Sequence, residues 1–305
     1  MTPRMHAHRH LARRVALALL VVLALGAAPD AAVHPAAFSV VGTADAKAVD
    51  FEDGIVFFLV LGSDARDGQD VRQGNADAIE LVALDFDTGN AAALAIPRDT
   101  WMDIPGKRFG RINESLSLGG PELVAESVEQ LVGIRADYVL TSGFDGFVSM
   151  VDRVGPLTVY ADAPVHPTGG RPVRRGLNRM DGEQALAFAR ERRQLARSDF
   201  DRIENQQSLM KAILRSLRQG EDQEGFMEGG SLAALRSLDT DLAPVELYRL
   251  AQAVTTFPLS RVTTCTVPGV PDRLPSGADV IRVDPAVAGA AGGDLEDARL
   301  GRDCG

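Results

Sequence analysis

The sequence predicts an α/β fold, a three-layer α-β-α sandwich around a central mixed sheet, on three observations. Ile55–Leu61 (IVFFLVL) is an unbroken apolar run, as a strand covered on both faces requires. Two further apolar runs, Ala78–Leu84 and Ala91–Ile96, are joined by Asp85-Phe86-Asp87-Thr88-Gly89-Asn90, a hairpin connection. Helix-period segments then alternate with short strands, with no internal repeat and no second core. The 305 residues are 45% hydrophobic and 24% charged, which excludes wholesale disorder and fibrous repeats.

In chain order, basic MTPRMHAHRHLARR leads into the 14-residue apolar run Val15–Ala28, closed by Pro29 and Asp30. A charged leader and a short apolar stretch make residues 1–29 a secretory signal or an uncleaved membrane anchor. The run falls short of the roughly 20 apolar residues that span a bilayer comfortably. It also lacks the polar face of a core helix. Residues 30–50, rich in small side chains, read as a linker. Residues 51–285 read as one extracytoplasmic domain, and 286–305 as a loosely ordered Ala/Gly-rich tail.

Pro121 suits a first helical position and opens a helix over Glu122–Leu131. Tyr138–Thr141 is a strand, Phe144–Val154 a helix and Leu157–Tyr160 a strand, followed by a Pro-, Gly- and Arg-rich loop, Ala163–Met180. Asp181 caps the next helix, with Gln184 at capping-box spacing. Ser198 and Asp201 repeat that spacing before a long helix to about Arg218. Its stripe Phe200, Ile203, Gln207, Met210, Leu214 and Leu217 is expected to face the core. A polar loop (Gly220–Gly230), helices near Leu232–Leu238 and Val245–Thr255, and strands near Val262–Val267 and Val280–Val283 complete the domain.

Cys265 and Cys304, 39 positions apart in an exported chain, suggest a disulfide stapling the C-terminus. Closing that loop contributes about 3–4 kcal/mol in the chain-entropy model. Neither cysteine lies in a CxxC or beside a histidine, which weakens a catalytic reading. The five histidines are His6, His8, His10, His34 and His166, so a zinc site or a Ser-His-Asp triad has almost no material. Aromatic residues are scarce at 5%, which argues against stacking on single-stranded nucleic acid. Residues 1–14 carry four arginines and no acid, so the rest of the chain sums to −14 and repels polyanions wherever basic residues are not concentrated. No nucleic-acid partner is expected.

One stretch reverses that sign. Residues 171–218 hold twelve basic residues, eleven of them arginine, against six acids. Arginine's planar fork grips phosphate oxygens in pairs and stays ionised in semi-apolar surroundings. A solvated basic face is the plainer alternative. Arg202 and Gln206, spaced i,i+4, share one side of a helix start, where free N–H groups already favour an anion. Arg190 and Arg192 sit two apart and point different ways unless their helix unwinds there. Asp64 stands at the C-terminal end of the first buried strand, where α/β sheets place functional groups, and Asp77 precedes the second. Arg98 and Asp99 follow the third, and if the first and third strands are parallel neighbours these ends converge. Two carboxylates among arginines suit Mg²⁺ bridging a pyrophosphate, as against loop aspartates that only make turns. Neither GxxxxGK[ST] nor a strand-following GxGxxG is present.

The strings FFLVLGSDAR, NADAIELVALD, LAIPRDTWMDIPG, RINESLSLGGPELVAESVEQLVG, LNRMDGEQALAFARERR and SDFDRIENQQSLMKAIL, in that order over about Phe57–Leu217, resemble the LytR-CpsA-Psr family. The resemblance implies a cell-envelope phosphotransferase that takes a glycopolymer from a polyprenyl-pyrophosphate carrier at the bacterial membrane and attaches it to peptidoglycan through a phosphodiester. By position it implies that Asp64 and Asp77 are magnesium or catalytic carboxylates. It puts Arg98, Arg190, Arg192, Arg202 and Gln206 on the pyrophosphate, with Arg111 and Asn113 in a lesser role. Two departures stand out: Gly74 and Asn75 where the family often has an arginine, with Arg72 nearby, and Asn205 in place of a second arginine. Leu209 and Ile213 are candidates to line a groove for the carrier's tail, or else ordinary core. Two other functions fit the same residues: a Mg²⁺-dependent pyrophosphatase using water, and a non-catalytic envelope lipid or glycan binder.

Overall fold

A computed structural model describes residues 38–44, 46, 54–66, 68–166, 171–192, 195, 197, 199–220, 238–242, 246, 249, 257–301 and 304, all within the unit Pro35–Gly305. The expected leader (1–29), the loop beyond residue 220 and the helix start near Leu232 lie outside the described residues. Of the helix expected over Val245–Thr255, Glu246 and Arg249 are described and both are helical. Among the described residues no helix is long and apolar enough to cross a membrane.

The strands are β1 (Phe38–Gly42), β2 (Ile55–Ser63), β3 (Ala76–Asp85), β4 (Asn90–Ala95), β5 (Trp101–Asp103), β6 (Phe109–Arg111), β7 (Tyr138–Ser142), β8 (Leu157–Ala161), β9 (Gly176–Met180), β10 (Leu238–Thr240), β11 (Val262–Thr266), β12 (Val270–Arg273) and β13 (Asp279–Arg282). The helices are α1 (Glu114–Val132), α2 (Phe144–Val154), α3 (Gly182–Arg190), α4 (Asp199–Gly220) and α5 (Pro285–Leu295). Seven strands form one mixed sheet in the order β10-β1-β7-β2-β3-β4-β11. The strands β2 and β4 are not neighbours, as the converging-ends expectation required. Both pair antiparallel with β3 between them, so they still run the same way and deliver Asp64 and Arg98 to one edge.

One sheet face is fully closed. Leu59, Leu61, Leu81, Leu94 and Val139 pack there against Val124 and Val128 of α1 and Ala288, Ala291 and Leu295 of α5. The C-terminal tail is therefore not loose: its small residues form a helix with one face buried, through Ala288, Ala291, Gly292 and Leu295. Alanine and glycine are what let α5 approach α1, since a Cβ on Gly292 would run into the carbonyl oxygen of Val132. The Cys265–Cys304 disulfide ties β11 to the chain end, with both cysteines buried in the same core.

On the opposite face, Phe58, Val60, Val82 and Leu140 stay half-buried in the middle of the sheet. The layer opposite keeps a core of its own, built from Val151, Leu157, Val159, Met180, Phe188, Leu209 and Ala212. Leu209 and Ile213 belong to that core. The stripe expected on α4 is correspondingly split. Ile203, Gln207, Leu209 and Ala212 are buried, while Phe200, Met210, Leu214 and Leu217 are half-buried. The helix serves two fronts: Leu209 and Ala212 enter the helical core, and Gln207 donates to the Cys265 carbonyl on β11 at 3.0 Å.

Other boundaries also moved. β1 lies within the expected linker, with Val40 and Val41 buried in the sheet. The expected loop before Asp181 contains β9, which pairs antiparallel with β8, a strand concealed because only Met180 of its five residues is buried. α1 begins at Glu114 and is interrupted at Gly119 and Gly120, so Pro121 opens its continuous part. The Asp181 cap is present, its side chain accepting from the Gln184 N–H at 3.0 Å.

Two predictions follow from this packing. Gly292→Ala lowers the free energy of urea unfolding by about 1–3 kcal/mol through overpacking. Gly289→Ala, which meets nothing within 4 Å, leaves it unchanged or raises it. The second concerns Glu80, buried on β3; burial pushes its pKa from 4.5 up to about 7 against the opposing pull of Lys211 and Gln207. The unfolded chain therefore releases this proton before the native one does, and stability falls as pH rises from about 4.5 to about 7. Over that range Glu80→Gln gains about 2–3 kcal/mol relative to wild type, measured by urea midpoints at each pH.

Candidate functional site

The site begins with a break in the β2–β3 ladder. Gly62 pairs with Ala78 but Ser63 pairs with Ala76, so Asp77 is the extra residue of a bulge. A bulge re-aims a side chain, and Asp77 is thereby turned onto Arg98, with which it forms a close ion pair. Asp64, just past β2, is clasped by the next loop: its Oδ1 accepts from the Asn75 N–H at 2.6 Å, and its own N–H donates to the Asn75 carbonyl at 2.9 Å. The departure from the family pattern in that loop has a local reason at Gly74. A Cβ there would lie 2.5 Å from both the Ala65 nitrogen and the Ser63 hydroxyl. Arg72 forks onto Asp70 instead, Nη2 to Oδ2 at 2.6 Å.

Arg98 follows β4, with its carbonyl fixed by the Asn113 N–H at 3.1 Å. Besides Asp77, its Nε faces Asp99 and Asp199, each at 3.8 Å. Asp199, in the first turn of α4, takes Arg202 at 3.0 Å in an i,i+3 pair. Arg111 reaches Asp99 at 3.6 Å and Glu114 at 3.2 Å. The cluster is well buried: the Arg202 side chain is only 4% exposed. Burial drives the Arg202 pKa down, with Asp199 opposing and Arg98 adding to the drop. Burial acts the same way on Arg98, yet Asp77, Asp99 and Asp199 together outweigh it and hold its pKa above the ordinary value. Burial pushes the Asp99 carboxyl up, against the pull of Arg98. Arg98 Nε, Arg202 Nε and both Asp199 oxygens are buried without a hydrogen bond. Two buried guanidinium groups with donors to spare are a ready receptor for an anion.

At the end of α3, Glu191 is extended (φ −64°, ψ 135°), so the helix does unwind between Arg190 and Arg192. Arg192 is exposed and acts electrostatically on both Arg202 and Asp279. Arg190 lies with its guanidinium 4.2 Å from the centre of the Phe144 ring. Gln206 donates to the Ala189 carbonyl at 3.2 Å and Asn205 to the Phe188 carbonyl at 3.4 Å. Both thus satisfy carbonyls in the last turn of α3, which no residue of that helix can reach.

Of the residues expected at the site, the fold gathers Asp77, Arg98, Arg111 and Arg202, with Asp64 one loop away and Arg192, exposed just past α3, acting on Arg202 electrostatically. It sets Arg190 on Phe144 and gives Gln206 a bracing bond. Sequence reasoning missed Asp99 and Asp199 as counter-ions, although the i,i+3 spacing of Asp199 and Arg202 on a helix start could have shown the second. For a metal, the oxygen donors are Asp64 and Asp77. Among the described residues no group of three or more His, Cys, Asp or Glu could hold an ion. A two-carboxylate set fits Mg²⁺, which keeps waters and shares substrate phosphates; it does not fit an all-protein zinc or calcium cage.

A buried arginine pair with its carboxylate partners, set where β2 and β4 end, makes this an α/β protein with a charged cluster at the carboxyl ends of strands in a mixed sheet. The chain belongs to the LytR_cpsA_psr family, whose model matches residues 36–289. It is 33% identical over 169 residues to the polyisoprenyl-teichoic acid–peptidoglycan teichoic acid transferase TagU of Oceanobacillus iheyensis, covering 53% of this chain and 52% of that one. The chain thus spans about half the length of the curated relatives it matches. Bacillus subtilis TagV shares the fold with a TM-score of 0.70 at 24% identity, over 81% of this chain and 98% of that one. So does the B. subtilis LytR-CPS2A-psr family protein YwtF (TagT) with bound octaprenyl pyrophosphate lipid, with a TM-score of 0.62 at 22% identity, over 83% of this chain and 93% of that one.

The cluster's coupling is measurable. Arg202→Ala, which leaves Asp199 with only the more distant Arg98 at 3.8 Å, costs about 3 kcal/mol of unfolding free energy. Adding Asp199→Asn recovers much of that loss, because the orphaned charge leaves with its partner.

Proposed function

We propose that this protein is an extracytoplasmic phosphotransferase that moves a glycopolymer from a polyprenyl-pyrophosphate carrier to peptidoglycan through a phosphodiester link. The observation that carries the reading is the buried pair Arg98–Arg202, whose Nε atoms make no hydrogen bond although Asp77 and Asp199 lie beside the pair. A diphosphate supplies the acceptors those donors lack. The half-buried apolar face formed by Phe58, Val60, Val82 and Leu140 runs along the sheet away from the bulge at Asp77, and it suits the carrier's isoprenoid chain.

In this reading Arg98 and Arg202 hold the diphosphate and meet the charge that develops on the departing polyprenyl phosphate. Arg192 and Arg111 add positive potential from the rim, and Asp99 and Asp199 keep the arginines in place before substrate arrives. Asp64 and Asp77 would hold Mg²⁺, which when bound offsets negative charge on the diphosphate oxygens. Of those two carboxylates, Asp64 is paired with no arginine among the described residues, and in place of holding the metal it can take the proton of the attacking sugar hydroxyl. The bond between the glycan-bearing phosphorus and the bridging oxygen breaks as the hydroxyl oxygen attaches.

The test supplies a lipid-pyrophosphate-linked glycan and peptidoglycan acceptor. Arg98→Ala is expected to cut joined product by about 10²-fold or more with the circular dichroism spectrum unchanged, and EDTA to abolish turnover. Unchanged transfer by Arg98→Ala would sink the reading. Phosphate release to water without joined product would instead make the protein a pyrophosphatase, and binding without any product an envelope binder.

A further inference from the structure

The ribbon of β8 and β9 carries a surface that the catalytic reading leaves unused. Its inner residues Leu157, Val159, Ala161 and Met180 are buried with Leu209 and Ala212 of α4, which fixes the ribbon's orientation. Alternation along the strands sends Thr158, Tyr160, Leu177 and Arg179 outward. Tyr160 and Leu177 are direct cross-strand partners, 56% and 75% exposed, so two large apolar side chains stand together in solvent. Arg174, Arg175 and Arg179 surround them, all exposed and without a carboxylate partner among the described residues. Arg171, also exposed, is paired with Asp181. Asn178 fixes the backbone that presents Arg174 and Arg175, accepting from the Arg174 N–H at 3.0 Å and donating to the Arg174 and Gly176 carbonyls at 2.7 and 2.8 Å. Asp162 is the exposed acid just beyond β8.

We infer that the outer face of this ribbon is a membrane-contact surface, with Tyr160 and Leu177 entering the lipid interface and Arg174, Arg175 and Arg179 resting on anionic headgroups. A chain whose body sums to −14 has to concentrate unpaired arginines to approach such a surface at all, and it does so around its exposed apolar pair. An anionic glycan would engage the arginines but leave Tyr160 and Leu177 in water. A lipid interface takes both, aromatic and aliphatic tips below the headgroups and guanidinium groups among them. The same ribbon packs on α4, the helix that carries Arg202, so contact here brings the arginine cluster's own helix to the lipid surface. The surface stands on its exposure and charge and does not depend on the phosphotransferase reading.

The test uses the full chain with a single tryptophan, Trp101→Phe combined with Tyr160→Trp, and Leu177→Trp as a second reporter. Val270→Trp, at a position 69% exposed on another ribbon, is the control. Vesicles of phosphatidylcholine and phosphatidylglycerol should shift emission at positions 160 and 177 to the blue. Brominated acyl chains should quench both reporters and spare the control. Replacing Arg174, Arg175 and Arg179 with glutamine should raise the lipid concentration for half-maximal shift by about tenfold or more. Absence of shift at both reporters while the protein sediments with vesicles overturns the proposal. So does a blue shift that grows with protein concentration alone, which would mean a second copy covers the face, or one produced by peptidoglycan fragments without lipid.

Discussion

Two guanidinium groups that repel each other, Arg98 and Arg202, are held out of water at one edge of the sheet, and most of the local architecture answers that constraint. Asp199 lies between them, at 3.8 Å from one and 3.0 Å from the other, and Asp77 and Asp99 balance Arg98 from other sides. Such a network is weak evidence of stability, because taking the charges from water costs about as much as their attraction returns. Its use is positional. The counter-ions fix the arginines in advance, so in the proposed function an incoming diphosphate meets donors that need no reorganisation.

Backbone devices bring these charges together. A bulge turns Asp77, Gly74 lets one loop lie against another, and Asn113 pins the carbonyl of Arg98. Asn205, where the family often has an arginine, is spent on the end of α3, and Asn75 on clasping Asp64. Both departures thus have a structural use within the site's frame.

The two faces of the sheet divide the labour. One is sealed by α1 and α5, with glycine and alanine giving closest approach, and serves as the rigid base. The other keeps its central apolar side chains half-buried under a layer with a separate core. Glu80 sits on this second face, a carboxylate kept in the sheet with Lys211 of α4 acting on it electrostatically.

Much was legible in the chain itself. Unbroken apolar runs marked β2, β3 and β4, the Asp181–Gln184 spacing marked a helix start, and the excess of arginine over 171–218 marked the basic segment from which Arg202 joins the cluster. These are local signals: periodicity, capping and charge depend on near neighbours in sequence. β9 was hidden because a ribbon with one exposed face shows too few apolar residues, and α5 because its small residues look like a tail until α1 lies against them. The roles of Arg190 and Asp99 could not be read at all, and that of Asp199 only as far as its i,i+3 spacing to Arg202. Which carboxylate balances which arginine, and which arginine turns to an aromatic ring, depends on separations between segments far apart in the chain, and only the folded sheet and its bulge set those distances.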